Sequence, residues 1–112
     1  MLYNETKKRI VVDEIKIARS FKERLMGLMF KSRISKNEGL LMLGCNSIHT
    51  CFMRFAIDVV FMDLNNRVIF IKEKVKPWRS IGFIKKAYMT LELPEGTVKD
   101  KNISIGDILI LS

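Results

Sequence analysis

Residues Cys45 to Asp63 read CNSIHTCFMRFAIDVVFMD, a stretch that holds both cysteines and the only histidine of the chain. From Phe55 onward it alternates with period two. Phe55, Ile57, Val59 and Phe61 fall on one face, and Arg54, Ala56, Asp58, Val60 and Met62 on the other. Such alternation specifies a strand with one face in a core. The opposite face carries charge at Arg54 and Asp58 between apolar neighbours, so those two side chains are candidate site residues. A carboxylate in the middle of an apolar strand is costly unless hydrogen-bonded, ion-paired or used by a ligand. Pairing with Arg54 or bonding to loop N–H groups is the architectural reading of Asp58, and ligand contact the functional one.

Downstream of this stretch, Asp63-Leu64-Asn65-Asn66 is a turn signal, because Asn accepts left-handed backbone geometry. A return strand follows over Arg67 to Lys74, and Pro77-Trp78 breaks it. Tyr88 to Leu93 (YMTLEL) reads as a strand with Met89, Leu91 and Leu93 inward, which puts Glu92 on the solvent side. Pro94-Glu95-Gly96 ends it, and Ile103 to Leu111 supplies a last strand after the Gly106-Asp107 turn. Upstream, Leu40 to Leu43 is a short buried run closed by Gly44. Arg9 to Ala18 (RIVVDEIKIA) is a hairpin or one bent strand, with Asp13, Glu14 and Lys16 toward water. Ser20 and Glu23 have capping-box spacing and open a short helix whose apolar stripe is Phe21, Leu25 and Leu28. Gly27 costs that helix roughly 1 kcal/mol relative to alanine, which either places its end nearby or serves close backbone packing. Lys31 to Glu38 is a polar, basic loop.

Many short strands and one short N-terminal helix predict a mainly β fold: a small antiparallel barrel or sandwich of jelly-roll character. The crossover helices of a parallel α/β sheet are missing. With 112 residues and 48% hydrophobic composition, one domain over residues 1–112 has enough material for a core. The N-terminus MLYNETKKRI has charges where a signal peptide needs an apolar run. No uncharged run reaches the ~18 residues of a spanning helix. The expectation is a soluble, cytoplasmic chain with no membrane span.

Several separated segments carry a likeness to a known family. They are Ala18-x5-Arg24-Leu25-Met26-Gly27-Leu28-Met29, Gly39-Leu40-Leu41, Phe52-Met53-x4-Asp58-x2-Phe61-x-Asp63, Leu91-Glu92-Leu93-x2-Gly96 and Ile105-Gly106-Asp107. In this order, and over roughly Ile15 to Ile110, the chain resembles the prokaryotic domain of unknown function 192. That resemblance implies a mainly β domain of jelly-roll or barrel-like character with a short helix near its start. It implies no established activity, substrate or cofactor, and its strand-end motif brings Glu92 into the candidate set. Phe52-Met53 stands where many relatives have Trp-Met, and Ala56 where a proline is common. Many relatives are exported, and a bacterial source is the natural expectation.

Four chemistries compete for the remaining residues. Cys45, His49 and Cys51 share one face if their segment is extended, which invites zinc. A structural zinc takes four ligands, and Asp58 could be the fourth in an unusual mixed set. With roughly 20 Å between the two Cα atoms in an extended chain, a Cys45–Cys51 disulfide requires a turn at Asn46-Ser47. Buried free thiols account for both cysteines without metal. A Cys51–His49 nucleophile pair is some 6–7 Å apart on a strand, too far for direct activation.

The net charge of +8 favours acidic partners. Arg67 to Lys86 holds seven Lys or Arg against Glu73, interleaved with Phe70, Trp78 and Phe83. That pattern suits single-stranded nucleic acid and equally a lysine-protected edge strand. The reading that unites these features is a non-enzymatic accessory module that binds a small molecule or a protein partner, without a cofactor. Its site lies around Asp58, with His49, Arg54, Trp78 and Glu92. A small acid–base or metal-assisted enzyme using His49 and Asp58 is the alternative, followed by a nucleic-acid binder.

Overall fold

Strand β6 (Ile57–Met62) is buried at all six positions, although its sequence alternates. The reason is its place inside a sheet that is covered on both faces. The computed structural model describes residues 1–29 and 31–112. Its main sheet has the order β3 (Glu14–Ala18), β4 (Glu38–Leu43), β9 (Met89–Pro94), β6, β7 (Val68–Val75). A second sheet of three strands runs β10 (Leu109–Leu111), β1 (Leu2–Asn4), β2 (Arg9–Val12), and β5 (Ile48–His49) pairs with β8 (Ser80–Ile81).

One face of the main sheet presents Leu41, Val60, Met62, Leu91 and Leu93, which cluster with Leu2, Val11, Val12 and Leu109 of the three-stranded sheet. The other face presents Leu40, Met42, Ile57, Val59 and Phe61, which cluster with Ala18, Leu28, Ile48 and Met53. The result is a β-sandwich on one side and a cap of helix and short strands on the other. The fold is mainly β, as expected, and among the described residues the sheets do not close into a barrel.

Among the described residues antiparallel pairing prevails, with one exception. β3 and β4 pair in parallel, Glu14 beside Glu38 through Ala18 beside Met42. The segment that contains helix α1 (Phe21–Met26) is the crossover that such a pair requires. Arg9 to Ala18 is neither a hairpin nor one continuous strand, since its halves belong to different sheets. Asp13 is the corner, held by N–H donation to Asn37 Oδ1 at 3.2 Å and by a second bond between the two side chains.

The capping box forms as the spacing predicts. Glu23 N–H donates to Ser20 Oγ at 3.1 Å and Ser20 N–H to Glu23 Oε1 at 3.0 Å. The bond from Ser20 N–H, with a second from Arg19 N–H at 3.2 Å, holds the Glu23 carboxyl below its ordinary value. Gly27, at φ +44°, ends the helix after six residues. The expected apolar stripe does not bury, however. Leu28 is in the core, while Phe21 is 72% and Leu25 49% exposed. α1 has no buried residue at all, because it overhangs a cleft instead of lying on the sheet.

The Asp63 turn closes on its own side chain, with Oδ1 accepting from Asn65 N–H at 2.8 Å and Arg67 N–H at 3.1 Å. At the far end of the sandwich Asp107 accepts from Asn4 Nδ2 at 2.8 Å and Ser104 N–H at 2.9 Å, and pairs with Lys7 at 3.0 Å. Burial pushes the Asp107 carboxyl up, but the bonds from Asn4, Ser104 and Lys7 outweigh it and hold it below the usual range. Among the described residues no helix is long and apolar enough to cross a membrane.

Candidate functional site

The site begins with a strand register. In β9, Glu92 lies opposite Leu40 of β4 on one side and Val59 of β6 on the other. Its two cross-strand neighbours on the same face are therefore apolar and offer its carboxyl nothing. The face is covered, so Glu92 is 2% exposed, not solvated as its alternation with Leu91 and Leu93 suggested. Its Oε1 is buried without a hydrogen-bond partner among the described residues. Burial alone pushes its carboxyl up to about 8, because desolvation penalises the charged form and no neighbouring charge or donor offsets it.

Glu92 forms part of the floor of a cleft of about 430 Å³. Phe21, Leu25 and Met26 of α1 form one wall, and Met42 joins Glu92 below. Ile48, Met53, Ile81 and Phe83 line the other side. The left-handed backbone at Gly27 brings the chain over the acid: a Cβ built there would stand 3.6 Å from Glu92 Oε1. The polar groups at the walls are few. Arg24 donates to the carbonyls of Arg19 at 2.7 Å and Leu43 at 3.3 Å. The Cys45 thiol donates to Ser47 O at 2.8 Å. A mainly apolar cleft with few polar groups has the character of a small-molecule site.

His49 reaches the same cleft from β5. Its Nδ1 accepts from Cys51 N–H at 3.1 Å, which assigns the ring proton of the neutral form to Nε2. This bond forms because the chain turns after Thr50, so Cys45, His49 and Cys51 do not share an extended face. Both cysteines are free. Among the described residues no three His, Cys, Asp or Glu side chains come together as a metal site requires.

Asp58 belongs elsewhere. It is fully buried, paired in register with Leu93, and so on the opposite face of the sheet from Glu92. Its Oδ1 accepts from Lys74 N–H at 3.0 Å, and its Oδ2 from Gly96 N–H at 3.1 Å and Val98 N–H at 2.9 Å. Lys74 adopts φ +54° beside an irregularity in the β6–β7 pairing. The carboxylate thus ties that bulge to the turn that opens α2 (Thr97–Asp100), which is the architectural reading of this residue. Its partners are backbone N–H groups and not Arg54, which is exposed.

Trp78 also lies outside the cleft. It is 58% exposed, adopts φ +63°, and packs edge-on against Phe52 with ring centroids 4.7 Å apart. Of the other aromatics in the basic stretch, Phe70 turns inward onto Phe61 at 5.9 Å, while Phe83 is 83% exposed. β7 is an edge strand of the main sheet, and its Lys72 and Lys74 are exposed.

The fold therefore brings His49 and Glu92 together and leaves Arg54, Asp58 and Trp78 outside. Arg24, Met42, Met53 and Phe83 are cleft residues that the sequence did not bring together, and Cys45 entered only as a candidate zinc ligand beside His49. One signal was present: the segments around Arg24-Leu25-Met26-Gly27, Phe52-Met53 and Leu91-Glu92-Leu93, far apart in the chain, each contribute to the cleft.

The chain is similar to proteins of two kinds. A UPF0127 protein of Pyrococcus horikoshii is 36% identical, with 96% of this chain and 95% of that protein covered. A UPF0127 protein of Thermococcus sibiricus is 34% identical over 96% of this chain and 71% of its own length. These relatives are archaeal, so the likeness does not single out bacteria. Among solved structures, a protein of unknown function from Novosphingobium aromaticivorans shares the fold, with TM-score 0.79 and 23% identity over 87% of this chain and 74% of that one. A second, described as a "putative transcription regulator" from Sinorhizobium meliloti, gives TM-score 0.77 and 24% identity over 86% and 79%. The family model of DUF192, described as "Uncharacterized ACR", matches residues 2–111. The chain belongs to this uncharacterised family, DUF192, whose curated members carry the name UPF0127.

Proposed function

We propose that this chain is a binding module that takes a small, mainly apolar ligand in the cleft beneath α1, with Glu92 and His49 as polar contacts. The observation that carries this reading is the buried Oε1 of Glu92 at the cleft floor, which has no hydrogen-bond partner among the described residues. Buried polar atoms are nearly always bonded, and an exception needs a reason. A ligand that supplies the missing partner is such a reason. The exposed apolar side chains of Phe21, Leu25 and Phe83 at the walls support it, since a bound molecule would cover surface that α1 leaves bare. The site is thus displaced from Asp58, whose oxygens are occupied, to the other face of the same sheet.

The methionines provide the test. Of the seven, Met26, Met29, Met42 and Met53 line the cleft. Met62 and Met89 lie in the opposite core cluster, and Met1 is at the N-terminus. With methyl-labelled methionine and 1-octanol as an apolar probe, the expected result is saturable shifts confined to those four methyl signals. Saturable shifts at Met62 and Met89 instead, or no saturable shift at all, would overturn the reading.

A further inference from the structure

Resting on that binding reading, we propose that the ligand class is an apolar molecule with a primary ammonium head, seated with an N–H on Oε1 of Glu92. What the cleft lacks points to this class. Glu92 is 2% exposed and is flanked in register by Leu40 and Val59, so β4 and β6 bring no charge to it. From α1 the group that faces the cleft is Arg24, and its guanidinium is engaged by two carbonyl oxygens. From β5 it is His49, whose Nδ1 is taken by Cys51 N–H. The segment after β4 contributes the Cys45 thiol, bonded to Ser47 O. Among the described residues no cation pairs with the acid and no donor reaches its Oε1.

A ligand that completes the carboxylate form of Glu92 must bring both positive charge and an N–H donor. A quaternary ammonium has the charge without the donor, and an alcohol the donor without the charge. A primary ammonium has both, and charge-assisted bonds are roughly twice as strong as neutral ones. The head must also be small, because the Gly27 backbone crosses close to Oε1. The body must be apolar, to lie against Met42, Ile48, Met53 and Phe21.

The proton balance of the step is fixed. Burial pushes the Glu92 carboxyl up to about 8, so at pH 7 the empty cleft holds mostly the neutral acid. The ammonium keeps its own proton and pairs with the carboxylate form. Binding therefore expels the Glu92 proton to the buffer, close to one per ligand at pH 7.

Calorimetry with octylamine, 1-octanol and octanoate, in two buffers of different ionisation enthalpy, separates the possibilities. The expected result is that octylamine binds most tightly and releases close to one proton. Glu92→Gln keeps the shape and removes the charge; it should weaken octylamine by roughly 10- to 100-fold and 1-octanol by much less, since the glutamine oxygen still accepts from a hydroxyl. If 1-octanol or octanoate binds as tightly as octylamine, the ammonium assignment is overturned while the cleft stands as a ligand site. The assignment fails in the same way if octylamine releases no proton or binds Glu92→Gln equally well. If none of the three binds, both the assignment and the cleft reading are overturned.

Discussion

Glu92→Gln should make this protein more stable, and by an amount that depends on pH. In the unfolded chain the carboxyl ionises near its ordinary 4.5, and in the folded chain at about 8. Between these values the folded state binds a proton that the unfolded state has released, so raising the pH favours unfolding. The sign is that of a raised carboxyl: its contribution is neutral well below pH 4.5, grows more unfavourable up to pH 8, and is constant above. At 1.36 kcal/mol per pH unit, the penalty is about 3 kcal/mol at pH 7 and about 5 kcal/mol above pH 8. Water that enters through the cleft mouth stabilises the carboxylate and lowers both figures. Glutamine has nearly the same shape and cannot ionise, so the variant lacks this penalty while every other titrating group stays the same. Urea unfolding of both proteins at pH 5, 7 and 9 isolates the difference. The variant should gain little at pH 5 and progressively more toward pH 9. A difference that stays constant from pH 5 to 9 would refute the claim that Glu92 is buried without a partner.

Other outcomes follow from the same geometry. Asp58→Asn deprives backbone N–H groups of Lys74, Gly96 and Val98 of carboxylate acceptors, and should cost about 2–4 kcal/mol in urea unfolding while leaving cleft binding unchanged. An unchanged urea midpoint would contradict its architectural role. The depressed Asp107 carboxyl contributes stability that is present above its unfolded value near 3.8 and is lost as pH falls through its lower folded value. Asn4→Ala removes one of the bonds that depress it, and should lower stability at neutral pH by about 1 kcal/mol and flatten the acid limb of the stability curve. Ser20→Ala removes the helix cap at a local cost of about 1 kcal/mol. Because α1 buries none of its residues, the effect should emerge as faster amide exchange at Arg24 and Gly27, with little movement of the global midpoint.

Much of the fold was legible in the sequence because its local signals are strong. The Ser20–Glu23 spacing, the Asp63–Asn66 turn and the apolar runs of β4, β6 and β9 each dictate what they become. What was not legible depends on layers. A strand covered on both sides buries its alternate face too, so Glu92 is interior although its neighbours Leu91 and Leu93 point the other way. Short strands such as β1, and the parallel β3–β4 pair, exist only because distant partners bond to them. The same limit explains the site. Asp58 drew attention as a carboxylate among apolar residues, but its three N–H donors come from a bulge and a turn that residue patterns do not reveal. Cys45, His49 and Cys51 would share a face only in an extended chain, and the turn after Thr50 redirects it. Phe21 and Leu25 have helical spacing, and nothing in that spacing tells a core stripe from a cleft wall.

Everything proposed for the cleft depends on an uncompensated acid at its floor, and carbon NMR of the labelled glutamate carboxyl groups reads that acid out directly. One side-chain carboxyl signal, the one removed by Glu92→Gln, should titrate near 8. A Glu92 signal that titrates near 4.5 would mean that water or a partner already satisfies this group, and the reason for a ligand at the cleft floor would be gone.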